Sequence, residues 1–206
     1  SYKKKKIYKN IMMNRKRKYD CKVSQKSTKK RRIINDDEDE EYIEDNSPVS
    51  CLGNRIYFTS EVTSKSVNQL VKIIEAKNFE YRMAISHELI QDAQPAPLYL
   101  HINSGGGEIL AAMSAVDSIQ RSYVPIHTVV DGKAASAASL ISVAGVKRYI
   151  TKHSYMMIHQ LSSGVIGKYQ DIEDKFENCK QFMDDLIDIY KNNTKMSVKK
   201  IKKFLK

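Results

Sequence analysis

Cysteine is scarce in this chain: Cys21, Cys51 and Cys179 lie far apart, with no CxxC pair. An odd, scattered set supports neither a disulfide framework nor a zinc site, and it fits a reducing compartment. Tryptophan is absent, so Tyr, Ile, Val, Leu and Met must build the core within a 41% hydrophobic composition. No apolar run approaches the roughly 18 residues of a membrane span, so none is expected. The charged N-terminus is not followed by an apolar stretch, which argues against a secretory signal. The 206 residues suit one medium domain with an appendage.

Acidic residues are in deficit, giving a formal net charge of +11. Its location decides its meaning. Residues 1–46 hold 15 Lys/Arg against 9 Asp/Glu, and Lys195 to Lys206 adds six lysines without an acid. The intervening 47–194 sums to about −1, so the centre is near neutral and no nucleic-acid-binding surface is expected of it. In residues 1–46 basic blocks (Lys3 to Lys6, Arg15 to Lys18, Lys29 to Arg32) run into an acidic one, Asp36 to Glu41. Such blocks bury too little surface to offset ordering entropy, which predicts a disordered basic-then-acidic tail. Lys29-Lys30-Arg31-Arg32 also matches a nuclear-localisation or nucleic-acid patch, although a solvated tail is the simpler reading.

Ordered sequence is expected from 47 onward. Arg55-Ile-Tyr-Phe-Thr59 reads as a short strand. Val67, Leu70, Val71 and Ile74 mark one helix face within Ser64 to Lys77, and Phe79 to Gln91 reads as a second helix before the Pro95-Ala-Pro97 breaker. Leu98 to Ile102 is a buried-strand pattern, followed by a helix from Glu108 to Gln120. A strand over Ile126 to Val130 precedes a small-residue helix over Ala134 to Val143, and Arg148 to Ile150 and Tyr155 to Ile158 are further short strands. Residues 170–192 form a long amphipathic helix pattern, with Ile172, Phe176, Cys179, Phe182, Met183, Leu186, Ile187 and Tyr190 at apolar positions. This alternation of strands and helices predicts an α/β domain with a largely parallel sheet.

Three short stretches carry chemistry. Gly105-Gly106-Gly107 follows an apolar strand directly, where backbone N–H groups can turn inward to meet an anion or an oxyanion. A plain turn explains a glycine cluster equally well, and no Lys-Ser/Thr pair follows at the spacing of a phosphate loop. In Asp131-Gly-Lys-Ala-Ala-Ser136-Ala-Ala-Ser139, small residues let a helix start approach the sheet closely, with the Ser136 hydroxyl at that start. An Ala/Ser helix without chemistry fits the same composition. His159 ends the apolar Tyr155-Met-Met-Ile run, and alone it reads as a core histidine. Together, nucleophile, oxyanion donors and base would each stand at a strand end, where an α/β sheet places its site.

The blocks Leu98-Tyr-Leu-His-Ile-Asn-Ser-Gly-Gly-Gly107, Gly132-Lys-Ala-Ala-Ser-Ala137 and Met157-Ile-His-Gln160 resemble three signature blocks of the ClpP peptidase subunit, in the family's order and at its spacing. The similarity runs from about Asn54 to the end. The resemblance implies a crotonase-like spiral of ββα units over 47–206. It implies Ser136 as nucleophile, His159 as general base, and the N–H groups of Gly107 and Ala137 as oxyanion donors. The helix over about 170–192 corresponds to the handle that interlocks two heptameric rings. The partners implied are further copies of the chain in stacked heptameric rings, a AAA+ unfoldase that consumes the ATP, and unfolded polypeptide as substrate. No cofactor and no metal are expected in this subunit. The compartment implied is cytoplasmic or organellar, with a nuclear address open because of the basic tail.

This chain departs from that pattern in places. The family's third catalytic residue is an Asp, and counting on from Thr194 and Ile201 places it two residues beyond Lys206. A histidine without its carboxylate loses tautomer control, at a cost of about four orders of magnitude in the well-studied triad. Gly105 stands where the family has Pro, about fifteen residues are inserted around Phe79 to Pro95, and the charged tail replaces a short axial loop. Ser139, one helical turn on, is the other serine of the block, but the Ala-Ala-Ser-Ala register favours Ser136. The expected activity is that of a serine endopeptidase working through an acyl-enzyme. The alternatives are a catalytically inactive ring subunit, a CoA-ester enzyme on the same fold, and a nucleic-acid-binding module resting on the tail.

Overall fold

A computed structural model describes residues 47–87 and 95–205; the tail expected over 1–46 lies outside the described residues. In the remainder a short hairpin, β1 (Val49–Leu52) and β2 (Arg55–Phe58), leads into helix α1 (Ser64–Ser86). Then come β3 (Leu98–Ser104), α2 (Ile109–Gln120), β4 (Ile126–Ala135) and α3 (Ala137–Val143). Strands β5 (Lys147–Ile150) and β6 (Tyr155–Met157) precede α4 (Tyr169–Asn193) and α5 (Val198–Phe204). The sheet runs β1-β2-β3-β4-β5, with β6 also on β4, and apart from the antiparallel β1–β2 pair every pairing is parallel. The chain is thus a mixed α/β protein.

Alternation along the strands sorts the two faces. Ile56 and Phe58, then Leu98, Leu100 and Ile102, are buried toward the helices. Strand β4 is longer than the five residues its sequence suggests. Its first half pairs with β5, and after a register shift at Ile102/Ser104 its second half, Lys133 to Ala135, pairs with β6. Gly132, at φ 115°, lies at the crossover, where any Cβ would meet the Asn103 side chain at 2.7 Å. One strand therefore delivers the chain from the body of the sheet to a second edge.

The two helices expected on either side of residue 78 are one. Helix α1 starts at a capping box, in which Thr63 Oγ1 accepts from the Ser66 N–H and Ser66 Oγ accepts from the Thr63 N–H. It passes through Asn78 because that residue is buried, with its Oδ1 accepting from the Val124 N–H (2.9 Å) and the Ser122 hydroxyl (3.1 Å). A polar residue in the apolar stripe reads as a break in sequence; in space it satisfies a loop donor. Residues 88–91 of the expected second helix lie outside the described residues.

The opposite sheet face carries Arg55, Tyr57, Tyr99, His101 and His127. Tyr57 stacks on His101 with ring centroids 4.9 Å apart. Arg55 Nη1 donates to His101 Nε2 at 3.2 Å, since a guanidinium has no acceptor, which leaves the ring proton on Nδ1. That atom faces Asp131 Oδ2 at 3.5 Å without hydrogen-bond alignment. Burial lowers the pKa of His101 below its usual 6.5, and the Arg55 charge adds to the effect against the pull of Asp131. Burial, then Lys147, lowers that of His127. A base with a depressed folded pKa stabilises the fold fully above its unfolded value of about 6.5 and progressively less as pH falls below it. The thermal midpoint should therefore hold on the alkaline side and fall as pH is lowered from about 7 to about 5. Scanning calorimetry of wild type and His127→Gln checks this; equal slopes in the two proteins would contradict it for His127.

Candidate active site

The parallel strands β3 and β4 end side by side, and the chain does something unusual at each end. Ser104 closes β3, and its hydroxyl accepts the Gly106 N–H at 3.2 Å, tightening the turn. Gly106 and Gly107 follow at φ 97° and 150°, conformations that side-chain-bearing residues rarely adopt. Both glycines are also required by contact. A Cβ on Gly106 would stand 2.5 Å from the Ala135 carbonyl oxygen and 2.6 Å from Ser136 Cβ, and one on Gly107 would stand 2.1 Å from the Val62 oxygen. Gly105 has no such constraint, its nearest neighbour being Lys133 Nζ at 3.6 Å.

Gly107 forms a parallel bridge with Val62: the Val62 N–H donates to the Gly106 carbonyl at 2.9 Å, and the Glu108 N–H donates to the Val62 carbonyl at 2.8 Å. In such a bridge the central residue turns its own N–H to the other side, away from Val62. Gly106, next to it, packs closely against the Ser136 turn. The Gly107 N–H has no acceptor among the described residues. Glu108 fastens the same corner, its carboxylate accepting from the Ser64 N–H (3.0 Å) and hydroxyl (2.7 Å) at the start of α1.

At the end of β4, Ser136 makes the strand-to-helix turn. It lies at φ 54°, ψ −127°, the one non-glycine residue with positive φ among the described residues. A serine held there is strained by the order of 1–3 kcal/mol and persists only when its surroundings over-determine it. They do so on both sides. The Ser136 N–H donates to the Met157 carbonyl of β6 at 2.8 Å, and its carbonyl accepts the Ser139 N–H at 2.9 Å. The Ser136 side chain does not cap the helix, and its half-buried hydroxyl makes no hydrogen bond among the described residues. The following Ala137 N–H, at the first position of α3, has no intrahelical acceptor. One strand-to-helix turn, packed against Gly106, thus carries a hydroxyl and an N–H that have no partner among the described residues.

His159 follows the β6 strand whose carbonyl holds Ser136, two residues beyond Met157. It is exposed, and its ring makes no hydrogen bond among the described residues, to Ser136 or to any carboxylate. Ser139, the other serine of the block, is completely buried, with its hydroxyl engaged to the Ser136 carbonyl and to Tyr190, so it is not available as a nucleophile. An open cleft of about 390 Å³ runs up to the glycine strand, lined by Glu61, Asn103, Gly105, Gly106, Gly107 and Lys133. Neither Ser136 nor His159 lines it.

Sequence reasoning missed Val62, Glu108, Ser104 and Tyr190. Val62 is an apolar residue in a loop, and nothing in its type announces a bridge to Gly107. Tyr190 counts as one more apolar position in a 3.6-residue period, which says nothing of where its hydroxyl goes.

Among the described residues no helix is long and apolar enough to cross a membrane. Compared with known protein families, residues 53–206 match the model of the family described as Clp protease. The match spans the glycine strand, the strained serine turn and the histidine strand, and on that ground this chain belongs to the Clp protease family, as a ClpP-type peptidase.

Proposed function

We propose that the chain is a serine endopeptidase, with Ser136 as nucleophile, His159 as general base, and the backbone N–H groups of Gly107 and Ala137 as the oxyanion hole. The observation that carries this is the strained Ser136 turn, packed against Gly106, where the Ser136 hydroxyl and the N–H groups of Gly107 and Ala137 have no partner among the described residues. Ser136 Oγ attacks a peptide carbonyl while His159 takes its proton. The oxyanion of the tetrahedral intermediate accepts from Gly107 and Ala137, each donor accounting for about 10²–10³ in rate. His159 then gives the proton to the departing amine, leaving an acyl-enzyme. Water, deprotonated by the same imidazole, releases the acid and restores Ser136. The third triad member is expected beyond Lys206.

In this reading the units built of β1–β2–α1 and of the later strands with their helices form the crotonase-like spiral, and α4 is the handle between rings. Only Leu186, Ile187 and Tyr190 of α4 are buried, while Tyr169, Ile172 and Phe176 are 77, 46 and 60% exposed. An apolar stripe left uncovered over the first half of α4 supports a second copy packing there. A ring chamber fed with unfolded polypeptide by a AAA+ partner is the assembly proposed.

A second reading has its own observation: His159 lacks both a bond to Ser136 and an orienting carboxylate among the described residues, as a non-catalytic ring subunit would. A fluorophosphonate probe separates the two. The full-length protein should be labelled, and Ser136→Ala should abolish that labelling. A full-length protein that is not labelled would sink the enzyme reading and leave the non-catalytic subunit.

A further inference from the structure

Behind Ser136 a run of hydrogen bonds leads out to helix α4. The Ser136 carbonyl accepts both the Ser139 N–H and the Ser139 hydroxyl. Ser139 Oγ lies 2.6 Å from Tyr190 Oη. Ser139 has one hydroxyl proton, and with that given to Ser136 the phenol of Tyr190 must be the donor in the second bond. Both side chains are enclosed, at 0 and 2% exposure. Burial pushes the Tyr190 phenol up to about 12, so it keeps its proton at neutral pH. The Ser142 hydroxyl donates to the Ser139 carbonyl at 2.7 Å, and the Thr128 hydroxyl to the Ser142 carbonyl at 2.6 Å, which fastens α3 to β4.

We propose that Tyr190 and Ser139 are positioning residues for Ser136, their hydrogen-bond chain holding the carbonyl of the strained turn and so aiming its hydroxyl. This rests on the reading of Ser136 as nucleophile. Neither group reaches substrate; they act on the backbone. The turn has two restraints: Met157 on the amide side, Ser139 on the carbonyl side. A residue at positive φ relaxes toward ordinary φ when a restraint weakens. Such relaxation rotates Ser136 Oγ away from the Gly107 and Ala137 donors. A buried phenol on an otherwise apolar helix face, spent on this one acceptor, has that consequence whatever its part in packing.

Tyr190→Phe in the full chain removes the hydroxyl alone. Two readouts follow it: the rate at which a fluorophosphonate labels Ser136, and backbone hydrogen exchange over 134–139. The expected result is labelling about tenfold slower at unchanged probe affinity, with exchange at the turn faster by a similar factor. Ser139→Ala should do the same, and the double variant should be no slower than the worse single one, as for links of one chain. Ile187→Val, which trims the same buried face of α4, controls for loosened packing and should leave both readouts unchanged. Wild-type labelling and exchange in Tyr190→Phe would overturn the proposal, as would Ile187→Val reproducing its effects. A wild type that is not labelled defeats the nucleophile reading alone. Exchange then decides: faster at the turn in Tyr190→Phe upholds the holding role, and unchanged exchange ends it.

Discussion

Replacing His159 by alanine is expected to lower peptide hydrolysis by roughly 10⁶-fold, the loss seen when the base of a serine-hydrolase triad is removed. The reason is chemical. A serine hydroxyl is a weak nucleophile at neutral pH, and its attack on an amide needs a group that takes the proton in the same step. The amine then leaves only if it is protonated, which the same imidazole supplies. Loss at both stages makes the effect large. It should also be non-additive: Ser136→Ala, His159→Ala and the double variant are expected to fall to a common floor set by the oxyanion donors and binding. Hydrolysis of a fluorogenic peptide by the three full-length variants measures this. A His159→Ala protein within tenfold of wild type would show that another group takes the proton.

Gly107→Ala should be the most damaging of the glycine-to-alanine changes, since its added methyl makes the shortest contact. Its Cβ would lie 2.1 Å from the Val62 oxygen and 3.0 Å from the Val62 carbonyl carbon, and both are backbone. No side chain can swing aside to make room. The φ of 150° is itself costly for alanine. The bridge to Val62 must open, losing the two hydrogen bonds that flank Gly107. With about 1 kcal/mol per bond and about 1–3 kcal/mol of backbone strain, a loss of roughly 3–5 kcal/mol is expected. If the Gly107 N–H is an oxyanion donor, as proposed, its displacement removes a further factor of about 10²–10³ from kcat in any protein that still folds. Gly105→Ala is the control for stability. Its Cβ would meet only the flexible Lys133 side chain, Nζ at 3.6 Å and Cε at 4.0 Å, and its melting transition should stay near that of wild type. Denaturant melts of the two variants read the difference directly; equal midpoints would contradict the role given to Gly107.

Much of this was legible in the chain. The alternation of apolar strands with 3.6-residue helix faces announced an α/β protein, because burying a strand and burying a helix stripe impose different periods. The three blocks holding Gly107, Ser136 and His159 offered the candidate residues, and the structure places each of them one to three residues past the end of a strand. The continuity of α1 through Asn78 was not legible, since a polar residue in a helix face signals exposure unless its partners are known. The length of β4 was hidden in the same way. Asp131-Gly132 reads as a turn, but the strand continues past it because Asn103 and β6 complete its pairing.

The residue types and their spacing, then, determined by themselves which groups are offered: two serines among small neighbours, one histidine after an apolar strand, glycines where backbone must come close. Those follow from local sterics and periodicity, which act over a few residues. Only the tertiary structure decided that Ser136 is strained and free while Ser139 is buried and engaged, that the Gly107 N–H turns away from Val62, and that Tyr190 of α4 stands behind both serines. Those are contacts across tens of residues. The hydrogen-bond accounting that fixes them closes only when every strand and helix is in place.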